Sequence, residues 1–271
     1  EVDSIIEVVR CFEHSNIIHV DGVINPINDI EIIELELIYA DLETVSKRRE
    51  RVKKQLKADK SLAKEDQILE RLEKTLNEGK SARSIEFTKE EKEIIKGLHL
   101  LTLKPLMYVA NVDEETIQDP ESNENFKKVK KYAESQNAKV IPICVKLEEE
   151  ISELESEEEK KEFLEMMGLD KSGLDRLVVA SYDILGLMSY LTAGEVEVRA
   201  WTIRKGTKAP QAAGKIHSDI ERGFIKAEIV SYDDLIECGS MAKAREKGLI
   251  RMEGKEYTMK EGDIVDFKFN V

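Results

Sequence analysis

A polar turn, Asn111-Val112-Asp113-Glu114, has side chains that could read a nucleobase, and it follows an apolar run at 105–110. A turn that reads guanine carries Asn-Lys-x-Asp, in which the Asp carboxylate accepts from the base N1–H and N2 amine. Here Val112 and Glu114 replace the Lys and the Asp, whereas Asn111 can still accept from an adenine N6 amine or donate to N7. The pattern predicts either an adenine site with Val112 as an apolar platform or an ordinary polar turn.

A second turn, Cys144-Val145-Lys146, ends the next apolar run, at 139–144. In GTPases the turn after the corresponding strand reads Ser-Ala-Lys, and there the backbone N–H groups contact the base. Cys144 in place of Ser need not matter, because backbone groups make those contacts. We expect Cys144, Val145 and Lys146 to lie at the base site, and the alternative is an ordinary strand end.

The sequence contains no phosphate-binding loop of its own. Gly79-Lys80-Ser81 has the end of a Walker motif, but Lys74 stands where that motif needs its first glycine. The tripeptide also follows a predicted helix and not a strand, so we interpret Gly79 as a helix cap. A Gly-x-Gly-x-x-Gly motif is absent as well, so these residues can hold at most the base half of a nucleotide site.

The elements that must position the two turns alternate between strand and helix. Apolar, β-branched runs predict strands at 5–12, 105–110 and 139–144. Helical spacing predicts helices at about 126–136, 147–155, 157–167 and 172–190. Such alternation is typical of a parallel sheet covered by helices, which binds ligands in the loops at the carboxyl ends of its strands.

A helical hairpin is predicted between the first two strands. Asn25-Pro26 signals a helix start, and apolar residues at helical spacing continue from Ile27 to Leu56. A second helical stretch runs from Ile68 to Leu76. Thr88 and Glu91 then have the spacing of a capping box, which predicts a shorter third helix.

The hairpin carries a basic run at residues 47–60, where eight basic residues stand against two acidic ones. We expect these cations to be solvated, because Val45, Val52 and Leu56 form the apolar stripe between them. Such a run is either a solvated helix face or a contact surface for RNA.

The pattern changes after residue 187. Alternation and apolar runs predict strands at 196–202, 224–230, 249–252, 256–259 and 264–269 with a helix at 212–221, which together suggest a small mixed sheet. Trp201 is the only tryptophan. Its place in an alternating strand fits core packing, and base stacking is the alternative.

Composition excludes several classes of protein. The chain has 271 residues and a net charge of −14, so as a whole it is a poor non-specific binder of nucleic acid or membranes. It has no apolar run long enough to span a membrane, and it shows no signal peptide. The three cysteines are far apart and suit neither a disulfide framework nor a zinc site, so we expect a cytoplasmic protein.

Three blocks of residues occur in one order. They are Val8-Val9-Arg10-Cys11-Phe12-Glu13 with Asn16-Ile17-Ile18-His19-Val20, Leu103-Lys104-Pro105 with 108–114, and Ala193-Gly194 with Glu197-Val198-Arg199-Ala200-Trp201-Thr202. Together with the C-terminal residues 262–265 and 269–271 they resemble the YchF or Obg-like ATPase family of P-loop proteins. The resemblance covers essentially the whole chain.

The resemblance implies an α/β fold with three parts. Residues 1–40 and 98–186 would be part of a P-loop nucleotide-binding domain, and 41–97 an inserted antiparallel helical arm. Residues 187–271 would be a TGS domain of β-grasp (ubiquitin-like) fold. The family has its P-loop and second switch before the stretch at which Glu1 begins, so ligands for Mg²⁺ and phosphate are expected upstream of Glu1.

The function implied is that of a ribosome-binding ATPase, which hydrolyses ATP to ADP and phosphate and so switches between bound and free forms. The arm, through residues 47–60, and the TGS domain would contact the large or small ribosomal subunit, including its RNA. The 271 residues alone are expected to be inactive. The alternative is a non-catalytic RNA- or ribosome-binding adaptor that consists of the arm and the TGS domain.

His19 is the candidate catalytic residue. The resemblance implies a family that lacks the usual polar residue for orienting water after its second switch, and a loop histidine on the site side could supply that function. The alternative is a surface loop histidine.

Overall fold

The computed structural model describes residues 2–13, 24–194 and 197–270. The chain divides into two compact units, Glu1–Ser181 and Tyr182–Val271. The strands are β1 (Ile5–Arg10), β2 (Leu106–Asn111), β3 (Lys139–Ile143), β4 (Leu187–Ala193), β5 (Val198–Arg204), β6 (Phe224–Ser231), β7 (Arg251–Glu253) and β8 (Asp263–Phe269).

Two long helices follow each other in the first unit, and the helices that lie within the second unit are short. They are α1 (Pro26–Leu56), α2 (Ala63–Asn77), α3 (Lys89–Ile95), α4 (Glu124–Ser135), α5 (Val145–Glu153), α6 (Glu157–Met166), α7 (Gly173–Ile184), α8 (Ala209–Ile216), α9 (Ser218–Arg222), α10 (Tyr232–Cys238) and α11 (Met241–Glu246). Across the described ranges, no helix combines the length and the apolar character that a membrane crossing needs.

The first unit holds the predicted parallel sheet. Its order is β1-β2-β3, and both strand pairs are parallel. Past the strand ends, the Cys11 N–H donates to the Asn111 carbonyl at 2.8 Å, and the Val112 N–H donates to the Ile143 carbonyl at 2.9 Å. These bonds bring the segments that follow the three strands to one edge of the sheet.

One face of this sheet forms a hydrophobic core of the first unit. The side chains of Val9, Tyr108 and Ala110 are at most 2% exposed. They form one cluster with Ile30 of α1 and Val129 of α4. Because alternate residues of a strand point to the same face, burial of this set fixes which side chains of β1 and β2 turn inward.

α1 begins at the predicted position. The Asn25 side chain accepts from the Asn28 N–H and Pro26 opens the helix.

α1 packs against α2 through a buried apolar stripe. Ile38, Val45 and Val52 recur every seven residues and are at most 1% exposed. The α2 side chains in the same cluster are Ile68, Leu69, Leu72 and Leu76. The polar contacts between α1 and α2, from Ser46 with Glu73 to Arg48 with Glu65, run in opposite directions along the two helices, so the pair is antiparallel.

The helix pair is joined to the sheet through a buried carboxylate. Asp41 is 3% exposed. Its Oδ1 accepts from the Leu101 N–H, and its Oδ2 accepts from the N–H and the hydroxyl of Thr102, all at 2.7 Å. A buried charge needs such donors, so this contact fixes α1 on the segment that leads into β2.

The expectation that all cations of 47–60 are solvated is wrong at Arg49. Arg49 is 9% exposed. Its guanidinium contacts Asp66 at 3.4 Å, Glu70 at 2.5 Å and Glu73 at 2.6 Å, all on α2. These carboxylates raise the pKa of Arg49 against the opposing effect of its burial. Arg48 also pairs with α2, through Glu65 at 2.6 Å.

The second unit is a mixed sheet in the order β5-β4-β8-β6-β7. β4 and β8 are parallel, whereas the remaining neighbours are antiparallel. Tyr190 of β4 and Phe267 of β8 pack edge to face at 5.8 Å in a core that includes Ala212 and Ala213 of α8. Gly223 lets the chain close on itself, because a Cβ there would lie 2.2 Å from the Asn270 carbonyl oxygen.

Three predictions for residues 172–271 are wrong. The predicted helix at 172–190 ends at Ile184, and Gly186, with φ of 63°, turns the chain into β4. The predicted strand at 256–259 makes only an isolated bridge, between Lys208 and Thr258. The predicted helix at 212–221 is two helices, since His217 interrupts it with extended backbone.

Candidate functional site

The two turns predicted from sequence meet at the carboxyl edge of the parallel sheet. Asn111 is the last residue of β2, and Val145 is the first residue of α5. The Asn111 side-chain oxygen accepts from the Val145 N–H at 3.1 Å. One of the oxygens expected to read a base therefore ties the turns together.

An ion pair makes a second link between the turns. The Lys146 ammonium pairs with the Glu114 carboxylate and lies 4.0 Å from Glu150. The hydrogen bond with Glu114 is the main cause of the raised pKa of Lys146. The Lys146 side chain is 67% exposed and that of Glu114 is 38% exposed, so both are accessible from solvent.

Val112 does not offer the expected apolar platform. Its side chain is 1% exposed and belongs to the core cluster that contains Val9 and Tyr108. The residue is one position past Asn111, so the alternation along the strand turns its side chain inward. Its contribution to this edge is the backbone bond with Ile143.

The first turn is shaped by residues that the sequence analysis did not single out. The Asp113 carboxylate accepts from the Thr116 N–H at 2.9 Å and from the Thr116 hydroxyl at 2.7 Å. Asn123 caps α4 and donates to the Cys11 carbonyl at 2.9 Å. An Asn just before a helical run is a capping signal, so its local function was predictable, whereas its contact with Cys11 was not.

Cys144 is a structural residue of the second turn. Its side chain is 3% exposed and it precedes the first turn of α5. Burial is the main cause of its raised pKa, so the thiol is not an activated nucleophile. The residue acts at this edge through the backbone that it places.

Glu148 holds α5 against the start of α7. Its carboxylate accepts from the Gly173 N–H at 2.7 Å and from the Leu174 N–H at 2.9 Å. A Cβ on Gly173 would lie 2.8 Å from both Glu148 Oε1 and a methyl carbon of Ile143, so only glycine allows this approach. The contact steadies the helix that carries Val145 and Lys146.

The catalytic candidate His19 lies outside the described residues. Within 2–13, 24–194 and 197–270, no group of three or more His, Cys, Asp or Glu side chains could hold a metal ion. The described residues form a polar edge at which a base could bind.

The cations of the basic run form two groups. We call a cation held when it pairs with a carboxylate, and unheld when it pairs with none among the described residues. Arg48 and Arg49 are engaged by α2, and Lys47 pairs with Glu43 of its own helix. Other cations of the run are exposed and make no ion pair with any described residue; they are Arg51, Lys53, Lys54, Lys57 and Lys60. These form the exposed cation set of the helix pair.

The Trp201 ring in the second unit makes one hydrogen bond through its Nε1–H and one cation–π contact. Its Nε1–H donates to the Thr192 hydroxyl at 2.9 Å. The Arg199 guanidinium lies 4.2 Å from the ring centroid. The ring also packs against the core cluster, which favours the packing interpretation over base stacking.

Comparisons with known proteins give one consistent family. The family model "YchF-GTPase_C", described as "Protein of unknown function (DUF933)", matches residues 187–270. The "Ribosome-binding ATPase YchF" of Bacillus subtilis is 55% identical over 272 residues, which are 100% of this chain and 74% of that protein. The protein of the same name from Escherichia coli O157:H7 is 45% identical with the same coverage of 100% and 74%.

One solved structure agrees with this family, and a second agrees with the fold. The Schizosaccharomyces pombe "YchF GTPase" has a TM-score of 0.79 and 39% identity, and the match covers 98% of this chain and 72% of that one. A "GTP binding protein" from Pyrococcus horikoshii OT3 has a TM-score of 0.58 at 19% identity, and it supports the fold alone.

Proposed function

The chain belongs to the YchF family, and from this premise we propose that it supplies the base-binding edge and the ribosome-contacting parts of a ribosome-binding ATPase. The observation that carries the proposal is the meeting of Asn111 and Glu114 with Val145 and Lys146 at one sheet edge. The protein would hydrolyse ATP to ADP and phosphate and alternate between ribosome-bound and free forms.

ATP is proposed over GTP because of Glu114. The names of the relatives include both ATPase and GTPase, so they leave the base open. Asn111 keeps the amide that suits adenine, while the guanine-reading Asp is replaced by a longer carboxylate that is already paired with Lys146. In this proposal the base contacts come from Asn111, Glu114 and the backbone of Cys144–Lys146, and the buried Val112 acts through its backbone.

Catalytic groups are proposed outside the described residues. Mg²⁺, when bound with ATP, neutralises charge that develops on the phosphates, and its ligands are proposed to lie upstream of Glu1. His19 is proposed to orient the attacking water. The described residues would orient the base and thereby the nucleotide.

Ribosome contact is proposed through the helix pair and the second unit. The exposed cation set offers charge for RNA phosphates, which the acidic remainder of the chain does not. We assign the second unit to a TGS domain of β-grasp fold, because its strand order places the parallel strands β4 and β8 side by side in the centre of the sheet. A protein that acts on ribosomes is proposed to be cytoplasmic.

The proposal is tested with the full-length protein, which carries these residues and the segment that the relatives have outside the match. Phosphate release from ATP is measured with and without purified ribosomes, and ribosome co-sedimentation is measured with ATP and with ADP. Turnover of ATP together with nucleotide-dependent sedimentation is expected. Sedimentation without any turnover would favour the adaptor, and absence of both would refute the proposal.

A further inference from the structure

The ion pair between Lys146 and Glu114 lies where a carboxylate would otherwise face the base. Glu114 is the last residue of the first turn and Lys146 the last of the second, and their side chains are 38% and 67% exposed. The nearby bond from Val145 to Asn111, at 3.1 Å, keeps the two turns at a fixed spacing. The cation therefore approaches the carboxylate from the start of α5, the helix that follows the neighbouring strand β3.

The two purines differ in what they present to such a carboxylate. Guanine offers the N1–H and the N2 amine as donors, whereas adenine offers an acceptor at N1 and a donor at N6. An ionised carboxylate only accepts hydrogen bonds, while an ammonium group only donates. A bare Glu114 would thus attract guanine and repel adenine N1, and an ammonium group paired with the carboxylate weakens both effects.

We propose that Lys146 is a specificity-determining residue, which favours adenine over guanine by holding the Glu114 carboxylate. The inference rests on the proposed function, since it assumes that the base binds between these turns. The ammonium occupies the acceptor that guanine needs, and it neutralises the carboxylate charge that would repel adenine N1. Lys146 acts through Glu114, so its removal is expected to change the relative affinity for the two bases more than the affinity for either phosphate chain.

The competing interpretation is a surface ion pair without function. Exposed pairs contribute little to folding, typically less than about 1 kcal/mol. If the pair has no function, its removal leaves the preference for adenine or guanine unchanged. Base preference therefore separates the two interpretations, whereas stability does not.

The test is a titration of the full-length protein with ADP and with GDP, which carry the two bases and avoid turnover. Lys146→Met is expected to raise GDP affinity and to lower ADP affinity, so that their ratio falls by about threefold to tenfold, because a freed carboxylate makes strong charge-assisted bonds. Lys146→Arg keeps the cation and is expected to retain the wild-type ratio. In a Glu114→Gln background, Lys146→Met is expected to have little effect on the ratio, since the carboxylate is gone.

The outcomes distinguish this inference from the proposed function. If the wild type prefers ADP and Lys146→Met keeps the wild-type ratio, the inference is wrong and the proposed function stands. An equal loss of affinity for ADP and GDP would also overturn it, because it would show a structural effect alone. A wild type that binds neither nucleotide would refute the proposed function and this inference with it.

Discussion

Two sets of cations on α1 carry the same charge in different surroundings. Arg49 is 9% exposed and contacts three carboxylates of α2. Arg51, Lys53 and Lys54 follow within five residues, are exposed, and pair with no acidic group among the described residues. The first set is part of the contact between two helices, and the second is available to a partner.

The position on the helix explains the difference. Arg49 follows Val45 by four residues and precedes Val52 by three, so it stands in the same stripe as these core residues. Its long side chain crosses the stripe and reaches α2. We infer that held charges in this protein determine stability, whereas unheld charges determine binding.

The strongest test of this comparison is charge reversal at Arg49. Arg49→Glu removes the guanidinium and places a fourth carboxylate beside three others, so we expect a loss of about 3 kcal/mol in the free energy of unfolding. Urea unfolding of the purified protein measures it. Arg51→Glu is the matched control and is expected to change the midpoint little. Equal midpoints for both variants would contradict the comparison.

Reversing the unheld cations is expected to affect ribosome binding. A variant with Glu at Arg51, Lys53, Lys54 and Lys57 should unfold like the wild type and sediment less with ribosomes, by at least tenfold if each cation meets a phosphate. For the wild type, about four contacts predict a slope near −3 in log affinity against log salt. If the variant pellets like the wild type at every salt concentration, the exposed cation set is only a solvated face.

A smaller effect is expected at Glu114, an exposed group in a pair. Glu114→Asp restores the residue that reads guanine, and we expect GTP affinity to rise by about tenfold while stability stays unchanged. The guanine-reading turn has Lys at the position of Val112, but we leave Val112 unchanged because its side chain is buried. Titration of the full-length protein with both nucleotides measures the change, and a wild type that prefers GTP would contradict the base assignment.

The smallest effect concerns Glu7 on β1, a part-buried carboxylate. Burial, then the Glu34 carboxylate, raises its pKa from 4.5 to about 7, and Arg83 opposes this. Between the two pKa values Glu7 is ionised in the unfolded chain and still protonated in the folded one. The free energy of unfolding therefore falls as pH rises, and the loss is complete once pH exceeds the folded pKa of about 7. Glu7→Gln is therefore expected to raise Tm at pH 8 by about 2–4 °C, since Glu7 is only part buried. At pH 5 the difference should be smaller, and an equal gain at both pH values would contradict the assignment.

Local signals in the sequence were sufficient for many elements. The apolar runs predicted the three parallel strands, and Asn25-Pro26 predicted the start of α1, as the structure confirms. The capping box of Thr88 and Glu91 and the left-handed Gly79 after α2 are likewise confirmed. Each of these features depends on neighbours within a few residues, so the chain specifies it without long-range contacts.

Tertiary contacts decided the features that the sequence analysis missed. Whether Leu187–Ala193 continues α7 or forms β4 depends on pairing with β5 and β8, which come later in the chain. The burial of Val112 and Arg49 likewise depends on residues that are distant in sequence. The sequence alone determined which residues could read a base and their order along the chain. Only the packing of the strands and helices decided which of those side chains face the site, because burial is a property of the whole contact surface and not of a local pattern.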